Sequence, residues 1–87
     1  MIPAEPVFDA ARRLQQAGIA YALVSVTKAL PPASARPGDK AVVTADGELQ
    51  GWVGGGCAQP AVVRSVRQAL ADGRARMIRI APTELNE

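Results

Sequence analysis

Apolar residues recur at helical spacing over EPVFDAARRLQQA, positions 5–17, where Val7, Ala10, Ala11 and Leu14 share one face. Pro6 suits the first turn and Gly18 the stop, so the pattern predicts a helix. The next segment, AYALVSV at 20–26, is apolar on both faces, as expected of an inner strand. Three prolines and a glycine then break the pattern over KALPPASARPGD, positions 28–39, which reads as a loop.

Two short strands follow, at 40–44 and 49–53, separated by Ala45-Asp46-Gly47-Glu48. Asp46-Gly47 is a strong hairpin signal, and a tight two-residue turn with positive φ at both positions is expected. A run of three glycines comes next, and Pro60 fits the first turn of a second helix over about 57–72. Its apolar face is Val62, Val66, Ala69 and Leu70, with Arg64, Arg67 and Gln68 facing out and Gly73 as the stop. ARMIRI at 75–80 reads as a last strand and PTELNE as a polar tail. The expected fold is α/β (α+β), a small mixed sheet of about four strands with a β-hairpin, packed against two helices.

Composition narrows the function. The chain has 87 residues, enough for one small domain. Its residues are 48% hydrophobic but only 3% aromatic, so the core must be built from Ala, Val, Leu and Ile, and association into a homodimer would add stability. A net charge of +2, with dispersed arginines and no stacking platform among Phe8, Tyr21 and Trp52, gives no reason to expect nucleic acid. No apolar run approaches the ~20 residues of a membrane span, and no signal peptide is apparent. One cysteine fits a reducing compartment, so the reading is cytoplasmic. The absence of histidine excludes His-based triads and His metal sites.

The chemistry concentrates in GWVGGGCAQP, positions 51–60. A strand passing through Gly54, Gly55 and Gly56 into a helix gathers unpaired backbone N–H groups, which receive anions. The spacing is neither that of a P-loop nor that of the dinucleotide fingerprint. A thiol at a helix start is stabilised as thiolate, making Cys57 a nucleophile or a soft metal ligand; the alternative is a small buried hydrophobe. In the proline loop, Ser34, Arg36 and Lys40 form a second cluster, with Arg36 either a phosphate fork or a solvated loop residue. The two hairpin strands are antiparallel, so this loop and the glycine turn emerge at one end, which brings Arg36 and Cys57 around one pocket. Trp52 either lines that pocket or fills the core, with the core preferred. Gln59 either meets a ligand or helps begin the helix.

The segment ARPGDKAVVTADGELQGWVGGGCAQPAVVRSVRQAL resembles the N-terminal domain of the XdhC/CoxI family, accessory proteins of xanthine dehydrogenase and carbon monoxide dehydrogenase. The likeness lies in an Arg-Pro-Gly loop, where the family has Arg-x-Pro-Gly or similar, an Asp-Gly hairpin and a Gly-Gly-Cys turn opening a helix, and runs from about residue 20 to 80. Ala29-Leu30 stand where the family usually has Gly-Ser. The resemblance implies a factor that binds the molybdenum cofactor (molybdopterin), assists its sulfuration and delivers it to a molybdenum hydroxylase apo-enzyme. Cys57 would then hold the cofactor and its metal, with Gly54, Gly55, Gly56, Arg36 and Gln59 around it. It favours a cofactor chaperone over an enzyme and leaves catalysis open. Further partners would be a cysteine desulfurase or a separate Rossmann-domain chain. The expected organisation is a single domain over 1–87, without the second, Rossmann-like domain of many members. Two alternatives stand beside this: a sulfur-transfer protein carrying a persulfide on Cys57, and a non-catalytic module docking a dehydrogenase subunit.

Overall fold

Val42 and Val43 are neighbours in one strand and therefore point to opposite faces of the sheet, yet both are buried, at 1% and 0% exposure. A strand apolar on both faces needs cover on both, and the computed structural model supplies a helix for each. It describes residues 5–29, 34–56 and 58–80. The elements run α1 (Glu5–Gln16), β1 (Tyr21–Ser25), β2 (Lys40–Thr44), β3 (Leu49–Gly51) and α2 (Gln59–Asp72).

The three strands form one antiparallel sheet in the order β1-β2-β3, with Leu23 opposite Val42 and Val42 opposite Gln50. On one face α1 contributes Val7 and Ala10 to a small cluster with Val42, flanked by Ala11, Leu14 and Tyr21. On the other, α2 contributes Val62 and Val66 to a larger cluster with Ala41, Val43 and Val53. The order of layers is helix, sheet, helix, which is the expected α/β class with two helices.

Both helices form where the pattern predicts them. α1 closes with Ile19 N–H on the Leu14 carbonyl at 2.9 Å and Gly18 N–H on that of Gln15 at 3.2 Å, a Schellman end. α2 begins two residues later than the pattern indicates, with Pro60 in its first turn and Gly73 at its C-cap.

Three differences are physical. The hairpin turn is longer than two residues: Thr44 N–H meets the Glu48 carbonyl at 3.0 Å, and Gly47 N–H meets that of Thr44 at 3.0 Å. Gly47 takes φ +90° and no non-glycine residue among those described has positive φ, so Asp46 does not take the left-handed conformation and the loop has three residues. Next, β3 ends at Gly51 rather than residue 53, the chain leaving the sheet after Trp52 N–H reaches the Lys40 carbonyl at 2.9 Å.

Last, no strand forms over 74–80, so the described sheet has three strands rather than about four and is antiparallel rather than mixed. The segment turns back onto α2. Arg74 N–H donates to the Asp72 carboxylate at 2.9 Å, while the Arg76 guanidinium donates to Gln68 Oε1 at 2.9 Å and pairs with Asp72. Met77 is left 83% exposed, although Ile80 packs against the α2-side cluster. The polar tail lies outside the described residues.

Candidate functional site

The proline loop ends in a well-formed turn. Asp39 N–H donates to the Arg36 carbonyl at 3.0 Å, with Pro37 second and Gly38 third at φ +95°, the dihedral signature of a type II turn. The Asp39 carboxylate, in a residue only 4% exposed, accepts the Arg36 N–H at 2.9 Å. Val26 ties the turn to β1, donating to the Asp39 carbonyl and accepting from Gly38 N–H, each at 2.8 Å. The backbone of Arg36 is thus fixed while its side chain is exposed. Lys40 spends its ammonium on the Gly38 carbonyl at 3.1 Å.

Trp52 joins this loop to the glycine turn. Its indole Nε1–H donates to the Ser34 carbonyl at 3.2 Å, and the half-buried ring belongs to neither core cluster. The preferred core position for Trp52 is therefore replaced by a clamp between two loops. A side chain at Gly54 would meet Ala58 Cβ at 3.3 Å and Ala35 Cβ at 3.8 Å, on a backbone with φ +129°. One at Gly55 would meet Ser34 Oγ at 3.6 Å. These two glycines let the proline loop, the turn and the start of α2 come together, and Gly54 also has a dihedral that other residues resist. Gly56 differs: a Cβ there would meet nothing within 4 Å. Cys57, expected to hold cofactor and metal, lies outside the described residues.

Past Gly56 the surface hollows into a groove of about 490 Å³ between the hairpin turn and α2. Gly47 forms one wall; Gln59, Val63, Arg64 and Arg67 form the other, with Gly56 at one end. Arg67 reaches across, its Nε–H donating to the Ala45 carbonyl at 2.8 Å. That bond fixes the guanidinium beside the hairpin turn. A side chain at Gly47 would lie 3.5 Å from Val63 Cγ1 and 3.8 Å from Arg67 Nη2, so turn and helix are in ordinary contact.

The electrostatics favour anions. α2 has no side-chain N-cap bond and no acidic residue in its first turn, so the positive end of its dipole is uncompensated. Among the described residues no carboxylate lines the groove. Asp46 and Glu48, beside Gly47 on the hairpin, are exposed, and among the described residues neither pairs with Arg64 or Arg67 within 4.0 Å. Among the described residues a titration shift is resolved at the far end of α2, where Arg74 N–H and then the Arg76 guanidinium hold the Asp72 carboxylate below its ordinary value.

Of the residues proposed from sequence, Gly56 and Gln59 come together in the groove, while Gly54, Gly55 and Arg36 do not line it. Arg64 and Arg67 line it unforeseen. Helical spacing assigned them to an outward face, correctly, but gives no sign that a hairpin turn lies across that face. Among the described residues no group of three or more His, Cys, Asp or Glu side chains is placed to hold a metal, and no helix is long and apolar enough to cross a membrane.

Comparison with known proteins adds one finding to this geometry. The family model described as the XdhC and CoxI family matches residues 14–81, from the last turn of α1 through α2 and beyond. The chain belongs to the XdhC and CoxI family. The match spans the three strands, the glycine turn and the groove of this XdhC/CoxI chain. Membership associates it with the maturation of xanthine dehydrogenase and carbon monoxide dehydrogenase. No curated protein and no solved structure matches the chain.

Proposed function

We propose that this XdhC/CoxI chain acts as a single domain that binds the molybdenum cofactor, holds it for sulfuration and hands it to a molybdenum hydroxylase apo-enzyme. It acts by binding rather than turnover. One observation carries the reading: Gly56 and Gln59, which flank residue 57 in sequence, both line a groove walled by two guanidinium groups and, among the described residues, free of carboxylates. That donor set suits an anionic, phosphate-bearing ligand. When bound, the cofactor supplies a sulfur-coordinated, redox-active metal. Cys57 is the residue proposed to hold it, since a thiolate is the soft ligand such a metal favours. Gln59 offers a side-chain amide at the groove wall, and Gly56 leaves room for a ligand against the backbone. Gly54, Gly55 and Arg36 shape the neighbouring turn.

The proposed setting is the cytoplasm, with the chain as a homodimer. Its proposed partners are the hydroxylase and either a cysteine desulfurase or a separate Rossmann-domain chain.

The test is purification from cells that make the cofactor, followed by metal and pterin analysis. Molybdenum and the fluorescence of oxidised molybdopterin are expected with the wild-type chain and not with Cys57→Ser. Equal cofactor content in the two proteins would remove Cys57 from the site. Gain of one sulfur atom on Cys57 after incubation with a sulfur donor, with no cofactor retained, would replace the chaperone by a sulfur-transfer protein.

A further inference from the structure

The two cations of the groove, Arg64 and Arg67, bear on one part of a ligand in particular. Arg64 and Arg67 are three residues apart on α2, so they project from neighbouring turns of one face and repel each other. Both line the groove, and no carboxylate among the described residues neutralises either. Arg67 is oriented by its Nε–H bond to the Ala45 carbonyl, which leaves its Nη groups without an acceptor among the described residues. Arg64 makes no side-chain hydrogen bond with them at all. Gln59 adds an amide donor, and Gly47 and Gly56 keep the space between the walls free of side chains. Among the described residues the groove therefore presents one oriented guanidinium, a second with no side-chain bond, and no carboxylate.

We propose that this groove is a phosphate-monoester subsite, with Arg67 as its oriented arm and Arg64 as its mobile arm. A guanidinium presents a planar fork matched to phosphate oxygens, and two forks on adjacent turns can hold a dianion between them. The anion would also relieve the repulsion between the arginines. Only the identity of the ester, as the one carried by molybdopterin, rests on the cofactor reading; the subsite rests on the groove.

The test is a two-dimensional NMR titration of the full 87-residue chain. The probes are inorganic phosphate, glycerol 3-phosphate, a phosphorylated pterin and the same pterin without its phosphate. All three phosphates are expected to shift the amides of Gly47, Gly56 and Gln59 and the arginine Nε–H signals, and the dephosphorylated pterin is not. Arg64 is exposed, so Arg64→Gln should keep the rest of the spectrum unchanged while weakening phosphate binding about tenfold or more. Arg67→Lys retains the charge but loses the Ala45 bond, and should weaken the phosphorylated probes by a smaller factor.

Absence of these shifts at about 10 mM phosphate would overturn the subsite. So would shifts that survive both substitutions, or an equal response to the dephosphorylated pterin. A stronger response to the phosphorylated pterin than to glycerol 3-phosphate supports the assignment to a pterin ester. The two readings fail separately. Phosphate shifts in a chain that never carries cofactor in cells would overturn the cofactor reading alone. Cofactor held equally by wild type and Arg64→Gln, without phosphate shifts, would overturn the subsite alone.

Discussion

Two helices meet the same hairpin in opposite ways. On the α1 face, Gly51 offers bare backbone: a Cβ there would lie 2.3 Å from the Lys40 carbonyl oxygen and 2.9 Å from Val7 Cγ2. The helix closes onto the sheet with no space left, and Arg13 seals its end by donating to Gln50 Oε1 at 3.2 Å. On the α2 face, Gly47 at the hairpin tip meets Val63 at ordinary contact distance, and a groove remains beside it. The difference follows from what each helix carries toward the hairpin. α1 presents Val7 and Ala10, which pack flat; α2 packs Val62 and Val66 on the sheet but carries the exposed Arg64 and Arg67 beside the hairpin turn. One face is a joint and the other keeps an open groove.

The contrast can be broken most severely at the joint. Gly51→Ala drives a methyl into backbone at a φ of +117°, with no flexible side chain to yield. A loss of about 4 kcal/mol, or outright unfolding, is expected in denaturant titration followed by circular dichroism. Wild-type stability in that variant would mean that α1 is not seated on Gly51.

Core truncations should rank the two faces. Val43→Ala, in the larger α2-side cluster, should cost about 2 kcal/mol, and Val7→Ala about 1 kcal/mol because the first turn of α1 can settle inward. Hydrogen exchange should speed throughout the sheet in the first and mainly along α1 in the second. The reverse order would make α1 the dominant layer.

At the groove, Arg67→Ala removes a single hydrogen bond between helix and hairpin turn, and about 0.5–1 kcal/mol is expected. Amide exchange at Gly47 reports whether the turn loosens. A loss several times larger would turn the groove wall into a joint after all.

The smallest effect lies at the end of α2. Asp72 has its carboxyl held below the ordinary value of 3.8, first by Arg74 N–H and then by Arg76. A depressed folded value means that its contribution is present above the unfolded value and disappears as pH falls through the folded one. Residues 73–76 should therefore fray below about pH 4. The carboxyl resonance of Asp72, followed by NMR, should titrate below those of exposed aspartates; a midpoint at the ordinary value would show that the C-terminal turn is not held this way.

The two helices and the hairpin were legible because each rests on a local signal. Val7, Ala10 and Leu14 mark one helical stripe, and Val62 and Val66 another. The runs on either side of Asp46-Gly47 fix the hairpin, and the glycine turn signals a junction. The last strand was misread for a reason also local in kind: ARMIRI has the residues of a strand, but Arg76 finds Gln68 and Asp72 on the preceding helix, and that pairing competes with the sheet. Of the candidate site, Gly56 and Gln59 were legible from the motif, whereas Arg64 and Arg67 were not. Their role depends on the hairpin turn lying across α2, a contact between positions about twenty residues apart that no spacing encodes.

By itself, the sequence determined the two helices, the hairpin and the glycine-rich junction, since each follows from side chains within a few residues of one another. It misplaced the inner strand, expected over 20–26, because β1 lies at the edge of the described sheet with Leu23 49% exposed and β2 is the strand buried on both faces. Tertiary structure decided which glycines admit a neighbour and which leave space, and which outward arginines share a cavity. Those outcomes depend on distances between elements remote in the chain, set only when the layers pack.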